Sequence, residues 1–331
     1  ADYGDPSNLL DLFTSYSGNN STFYKNPEYD ALIEKAAATT DLSEHFVRHA
    51  NGASYINNLD GPESCNSNNM LKLSEDLFDD THDVRYADFY ESTMYNHIMS
   101  TQDPETGGFV YFTSLRPQSY RIYSQVNQGM WCCVGTGMEN HSKYAHFAYT
   151  HSTNNDTLYV NLFIPSELKS SKFGIRQETA FPFEQKSKIT ITKSGTFTLA
   201  IRKPSWVENG GSYTYTTKKW KKGETVDIDL PMTLSIESCP DYNDYVAVKY
   251  GPILLAARTD TEDELQNEYG GEGRMDHAPG SRASIKTLSS SPLVIGERDK
   301  MMDSISVTDI YKLMFSMKTY NKGVVTLEPF N

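Results

Sequence analysis

The sequence predicts an α+β, multidomain fold in which a helical region comes first and a β-sandwich follows. Three observations lead there. Apolar residues recur at three- and four-residue intervals between positions 66 and 99, and alternation at every second position takes over from Thr157. At 331 residues the chain is also longer than one ordinary hydrophobic core encloses, so more than one domain is expected.

Residues 30–39 and 66–78 have helical spacing, the second with Leu71, Leu73 and Leu77 as its apolar stripe. Residues 83–99 form the clearest helix, because Tyr86, Phe89, Tyr90, Thr93, Met94, His97 and Ile98 fall on one face. Residues 106–112 read as a turn into a short strand, 116–128 as a loop, and 138–151 as a further helix after Gly135 and Gly137, which are expected to bring backbone close to a neighbouring site. The expected strands are 158–164, 188–192, 196–202, 225–230 and 245–250, short and evenly spaced as in a β-sandwich. Residues 218–223 read as a plain turn with solvated charge, and 258–303, rich in Asp, Glu, Gly and Ser, as a long surface excursion.

The chemistry concentrates in four residues. Cys132 and Cys133 are adjacent, a spacing that disulfide geometry disfavours, so metal ligation or thiolate chemistry explains the pair better. Upstream, Gly61-Pro62-Glu63-Ser64-Cys65-Asn66 places a carboxylate and a thiol two residues apart just before a helical pattern. Glu63, Cys65, Cys132 and Cys133 would make a closed tetrahedral shell for zinc. Spacing alone leaves open the alternative that the cysteines are small buried side chains and Glu63 a helix-start charge.

Several blocks of sequence resemble a known family. They are GPESCNSNNMLKLSEDLF at 61–78, YADFYESTMYNHIMSTQDPETGGFVYF at 86–112, QGMWCCVGTGMENHSKY at 128–144, LYVNLFIPSEL at 158–168 and GIRQETAFPF at 174–183. In this order they resemble the bacterial β-L-arabinofuranosidases of glycoside hydrolase families 127 and 146, over about residues 43–331. The resemblance implies a helical (α/α)6-barrel catalytic domain, of which residues 43–152 would be the carboxy-terminal part, followed by β-sandwich domains over 153–331. It also implies zinc bound by Glu63, Cys65, Cys132 and Cys133. Cys132 would be the nucleophile of a retaining hydrolysis, and Glu44, in Glu44-His45-Phe46, the general acid and base. The implied substrate is a terminal β-L-arabinofuranoside of an arabinose-containing oligosaccharide or glycan. His45, Arg116, Arg121, Tyr123 and Gln128 offer donors for sugar hydroxyls, whereas His97 and His141 are read as packing or surface histidines.

Residues 1–42 instead resemble a fragment of an ABC-importer oligopeptide-binding protein and are expected to be an appendage. Because little sequence precedes the β-rich part, about four to six helical elements are expected and most of a barrel is missing. A catalytically silent carbohydrate-binding or structural remnant is therefore the second reading, and a peptide-import component the third. The net charge of −13 argues against a phosphate-backbone partner, and no apolar run approaches the ~18 residues of a membrane span. Ala1 in place of Met is read as processing or truncation, and exported relatives favour a periplasmic or extracellular location. With three cysteines assigned to metal, Cys239 is left without a disulfide partner.

Overall fold

The computed structural model describes residues 61–113, 121, 123–124, 131–239, 242–257 and 298–330. Three helices of ten or more residues and fourteen strands occur among them. Helix α1 (Ser64–Thr81) ends where His82 adopts a left-handed conformation with φ 54° and donates its N–H to Phe78 O. It buries Met70, Leu71, Ser74 and Phe78, so the predicted stripe is displaced from Leu73, which is only half-buried. Helix α2 (Val84–Thr93) is capped by the Asp83 carboxylate, which accepts from Arg85 N, and continues through a π turn (Met94–Ile98) into a 3-10 turn (Met99–Thr101).

Helix α3 (Cys132–Lys143) starts earlier than the sequence predicts and stops well before His151. Gly135 and Gly137, which the sequence places ahead of the helix, both lie inside it. The extended backbone of Trp131, φ −67° and ψ 156°, marks its true start. His151 belongs to a strand instead.

Two four-stranded sheets follow. One runs in the order β1 (Tyr149–His151), β2 (Thr157–Val160), β6 (Gly195–Lys203), β7 (Ser212–Trp220), with β2 and β6 parallel. The other is β3 (Ser166–Lys169), β4 (Gly174–Thr179), β5 (Lys186–Ile191), β8 (Thr225–Asp229). Leu158, Val160, Phe173, Ile175, Ile189, Ile191, Phe197, Leu199 and Trp220 share one core, making the two sheets the faces of the expected sandwich. Trp220 ends β7 and is buried, so only residues 221–223 of the basic segment turn. Lys218 pairs with Glu224 at 2.9 Å, in keeping with solvated charge.

An antiparallel six-stranded sheet completes the fold: β12 (Ile305–Asp309), β13 (Met314–Thr319), β14 (Gly323–Pro329), β11 (Ile253–Ala257), β10 (Tyr242–Tyr250), β9 (Leu234–Cys239). Its buried face is continuous with the helices, since Phe78, Tyr86, Tyr90 and Ile98 share a core with Tyr250, Leu255, Phe315 and Leu327. Asn96, on the π turn, fastens the contact: its amide donates to Pro252 O at 2.7 Å and accepts from Leu254 N at 2.8 Å.

A buried ion cluster joins α2 to the sandwich. The fully buried Arg202 side chain on β6 meets Asp88 at 2.7 Å and the equally buried Glu91, whose other oxygen accepts from Trp206 Nε1 at 2.8 Å. Arg202 also lies 5.5 Å from the centre of the Phe163 ring. Replacing Arg202 by Met would leave two acids desolvated without their cation, which typically costs about 3–5 kcal/mol. Urea unfolding of Arg202→Met should show a loss of that size, and a midpoint equal to the parent's would disprove the assignment.

Candidate metal centre

The Glu-x-Cys segment is positioned by a short stretch of extended chain beside it. Thr113 N donates to Pro62 O at 3.0 Å, Ser64 N donates to Tyr111 O at 3.0 Å, and Ser64 Oγ donates to Val110 O at 3.1 Å. Glu63 and Phe112 form an antiparallel bridge. This lattice makes Glu63 the N-cap of α1 with extended backbone, and its side chain makes no capping hydrogen bond. The carboxylate reaches the sulfurs instead: Oε1 lies 3.7 Å from Cys132 Sγ and 3.8 Å from Cys133 Sγ. Cys65 occupies the first turn of α1, and Cys132 and Cys133 the first turn of α3.

All four donor atoms lie within 4.8 Å of one another. Zinc–sulfur bonds of about 2.3 Å set tetrahedral neighbours about 3.8 Å apart. The Glu63 contacts and the 3.9 Å between Cys132 and Cys133 match that edge. Cys65 Sγ donates to Cys133 Sγ at 3.2 Å, an edge about half an ångström shorter than that tetrahedral spacing. The residues present thus fit a metal ion, and the two helix N-termini, one bearing Glu63 and Cys65 and the other Cys132 and Cys133, favour negative charge there.

The electrostatics of the cluster are uneven. The hydrogen bond with Cys133, aided by burial, pushes the Cys65 thiol well above its usual range. The same bond lowers the Cys133 thiol to about 7 against the opposing effect of burial. Burial and then the neighbouring Cys132 raise the Tyr111 hydroxyl, which stands 3.6 Å from Cys132 Sγ. Cys132 is exposed, Cys65 half-buried and Cys133 buried, and no disulfide joins them. Trp131 and Tyr111 pack edge-to-face around Cys133, closing the inner side of the cluster.

Three family models match the chain. Residues 32–146 match the β-L-arabinofuranosidase GH127 catalytic domain, residues 157–232 the GH127 middle domain, and residues 235–331 a domain of unknown function. The chain belongs to glycoside hydrolase family 127.

Solved structures place the GH127 chain among the same folds. A GH127 β-arabinofuranosidase is 22% identical, with a TM-score of 0.57 over 81% of this chain and 46% of its own. A glycoside hydrolase is 21% identical, with a TM-score of 0.51 over 58% and 37%. A GH127 β-L-arabinofuranosidase from Geobacillus stearothermophilus T6 is 22% identical, with a TM-score of 0.48 over 58% and 36%. The chain therefore spans less than half the length of these relatives. No curated protein matches it.

Of the sequence-derived candidates, the GH127 fold brings together Glu63, Cys65, Cys132 and Cys133. Glu44, His45, Arg116 and Gln128 lie outside the described residues. Arg121 donates to Phe330 O at 2.8 Å and lies 4.3 Å over the Phe330 ring, engaging the residue that follows β14. Tyr123 forms a backbone bridge with Val110. His97 is held by Ser67 Oγ at 2.6 Å, and burial, reinforced by Arg121, lowers its pKa to about 4. His141 contacts the Tyr144 hydroxyl at 2.6 Å, and burial also lowers its pKa. Both are packing histidines, as expected. Sequence reasoning missed Tyr111 and Thr136, since their contacts with the cysteines join positions 21 and 71 residues apart.

The two glycines of α3 differ. A Cβ on Gly137 would meet the Phe109 ring at 2.3–2.7 Å, whereas one on Gly135 would meet nothing within 4 Å. Gly137 therefore admits Phe109, rather than bringing backbone to the metal donors as the sequence suggested. Gly137→Ala should destabilise the fold by about 1–3 kcal/mol through overpacking. Gly135→Ala should stabilise it by about 0.5–1 kcal/mol, since alanine suits a helix interior. Urea midpoints moving in the same direction for both would contradict this distinction.

Proposed function

We propose that this GH127 chain carries the metal-thiolate centre of a retaining β-L-arabinofuranosidase, acting on terminal β-L-arabinofuranosides of arabinose-containing glycans. The observation that supports it most is the convergence of Glu63, Cys65, Cys132 and Cys133 from two helix starts in a chain whose family models are those of this hydrolase. Zinc is the ion proposed, since three sulfurs and one carboxylate oxygen in tetrahedral spacing suit it. When bound, it keeps the cysteines as thiolates at neutral pH.

Cys132 is the nucleophile in this reading because it is the exposed sulfur, while Cys133 faces the core. Its Sγ forms a bond to the anomeric carbon as the bond to the leaving oxygen breaks, and Glu44 gives that oxygen its proton. Water then displaces the sulfur, with Glu44 taking the proton, and two inversions yield retention. Tyr111, by Cys132 Sγ, is placed to steady the returning thiolate. The described helices are proposed as the carboxy-terminal part of an (α/α)6 barrel, residues 153–331 as β-sandwich domains and, since the catalytic-domain match begins at residue 32 rather than 43, only residues 1–31 as an appendage.

Zinc content and hydrolysis of an aryl β-L-arabinofuranoside test the reading. Native chain should hold zinc and turn over, and Cys132→Ser should lose roughly 10³-fold or more in rate. Glu44→Gln should accumulate a pentosyl adduct on Cys132, detected by mass. Zinc without turnover would leave a metal-holding scaffold, and an adduct elsewhere would displace Cys132 from its role.

A further inference from the structure

Hydroxyls near the start of α3 and beside it treat the three sulfurs unequally. Thr136 Oγ1 stands 3.0 Å from Cys65 Sγ, across the gap between α3 and α1. Hydroxyls in helices commonly turn back on their own backbone, as Thr81 does to Leu77 O at 2.6 Å and Ser142 to Glu139 O at 2.7 Å. Thr136 reaches the other helix instead. It lies four residues after Cys132, one turn along the same face of α3, so the helix period brings hydroxyl and cysteine to α1 together. Cys132 has a longer contact, 3.6 Å from the Tyr111 hydroxyl, and is the exposed member of the set.

A thiolate has only lone pairs to offer, so the hydroxyl must be the donor when Cys65 is a metal ligand. A donated hydrogen bond draws charge from a sulfur and fixes its orientation. We propose that Thr136 is a positioning residue that commits Cys65 to the metal and thereby leaves Cys132 as the sulfur free to react. This rests on the zinc and Cys132 assignments made above. It deepens them by supplying a reason why one thiolate of three is selected.

Two readouts test it on the zinc-loaded full chain: zinc affinity by competition with a chromophoric chelator, and the order of iodoacetamide alkylation mapped by peptide mass. In the parent, Cys132 should be alkylated first. Thr136→Val should bind zinc roughly 10–100-fold more weakly and admit alkylation at Cys65, and Thr136→Ser should restore both properties. If Val at this position prevents folding, Thr136→Ala removes the same hydroxyl without the branched side chain. A valine or alanine variant that matches the parent in both readouts overturns the proposal while leaving the zinc assignment standing. A parent chain that takes up no zinc overturns both.

Discussion

Two helix N-termini pointed at one another are the constraint on which the rest of the site depends. Each brings the positive end of a helix dipole to the same place, where a carboxylate and three thiols gather. Neither terminus would hold that position alone. The extended residues 109–113 hydrogen-bond to the start of α1, and the Phe109 ring in turn presses on Gly137 of α3, so one strand-like segment sets the spacing of both helices.

The same arrangement explains why the donors differ in character. Cys133 is walled by Trp131 and Tyr111, Cys65 is shared between Cys133 and Thr136, and Cys132 alone of the three faces solvent. A symmetric shell would suit a purely structural ion. Here burial and hydrogen bonding grade the sulfurs from fixed to accessible, as the proposed pairing of metal binding with nucleophilic attack would require.

Much of this was legible in the sequence. Glu-x-Cys and Cys-Cys are unusual groupings in a chain with four cysteines, and the family resemblance rather than their spacing favoured a shared site over small buried side chains, so the four residues could be named before their geometry was seen. The start of α3 was hidden because Gly135-Thr136-Gly137 has the composition of a turn, and only the Phe109 ring shows why a helix tolerates it. Strand β7 was missed because most of its side chains are polar and exposed, which erases alternation. The contact of Thr136 with Cys65 joins positions 71 residues apart and has no local signature at all.

Arg202 and Asn96 carry an implication for the chain's modularity. The acids that balance Arg202 sit on a helix, the arginine on the sandwich, and the Asn96 amide clasps the six-stranded sheet, so each part holds a piece of another's charge or backbone balance. Family boundaries drawn along the sequence therefore do not mark places where the polypeptide can be cut into autonomous modules. Evolution could exchange one of these segments only together with its electrostatic counterpart on the neighbouring one.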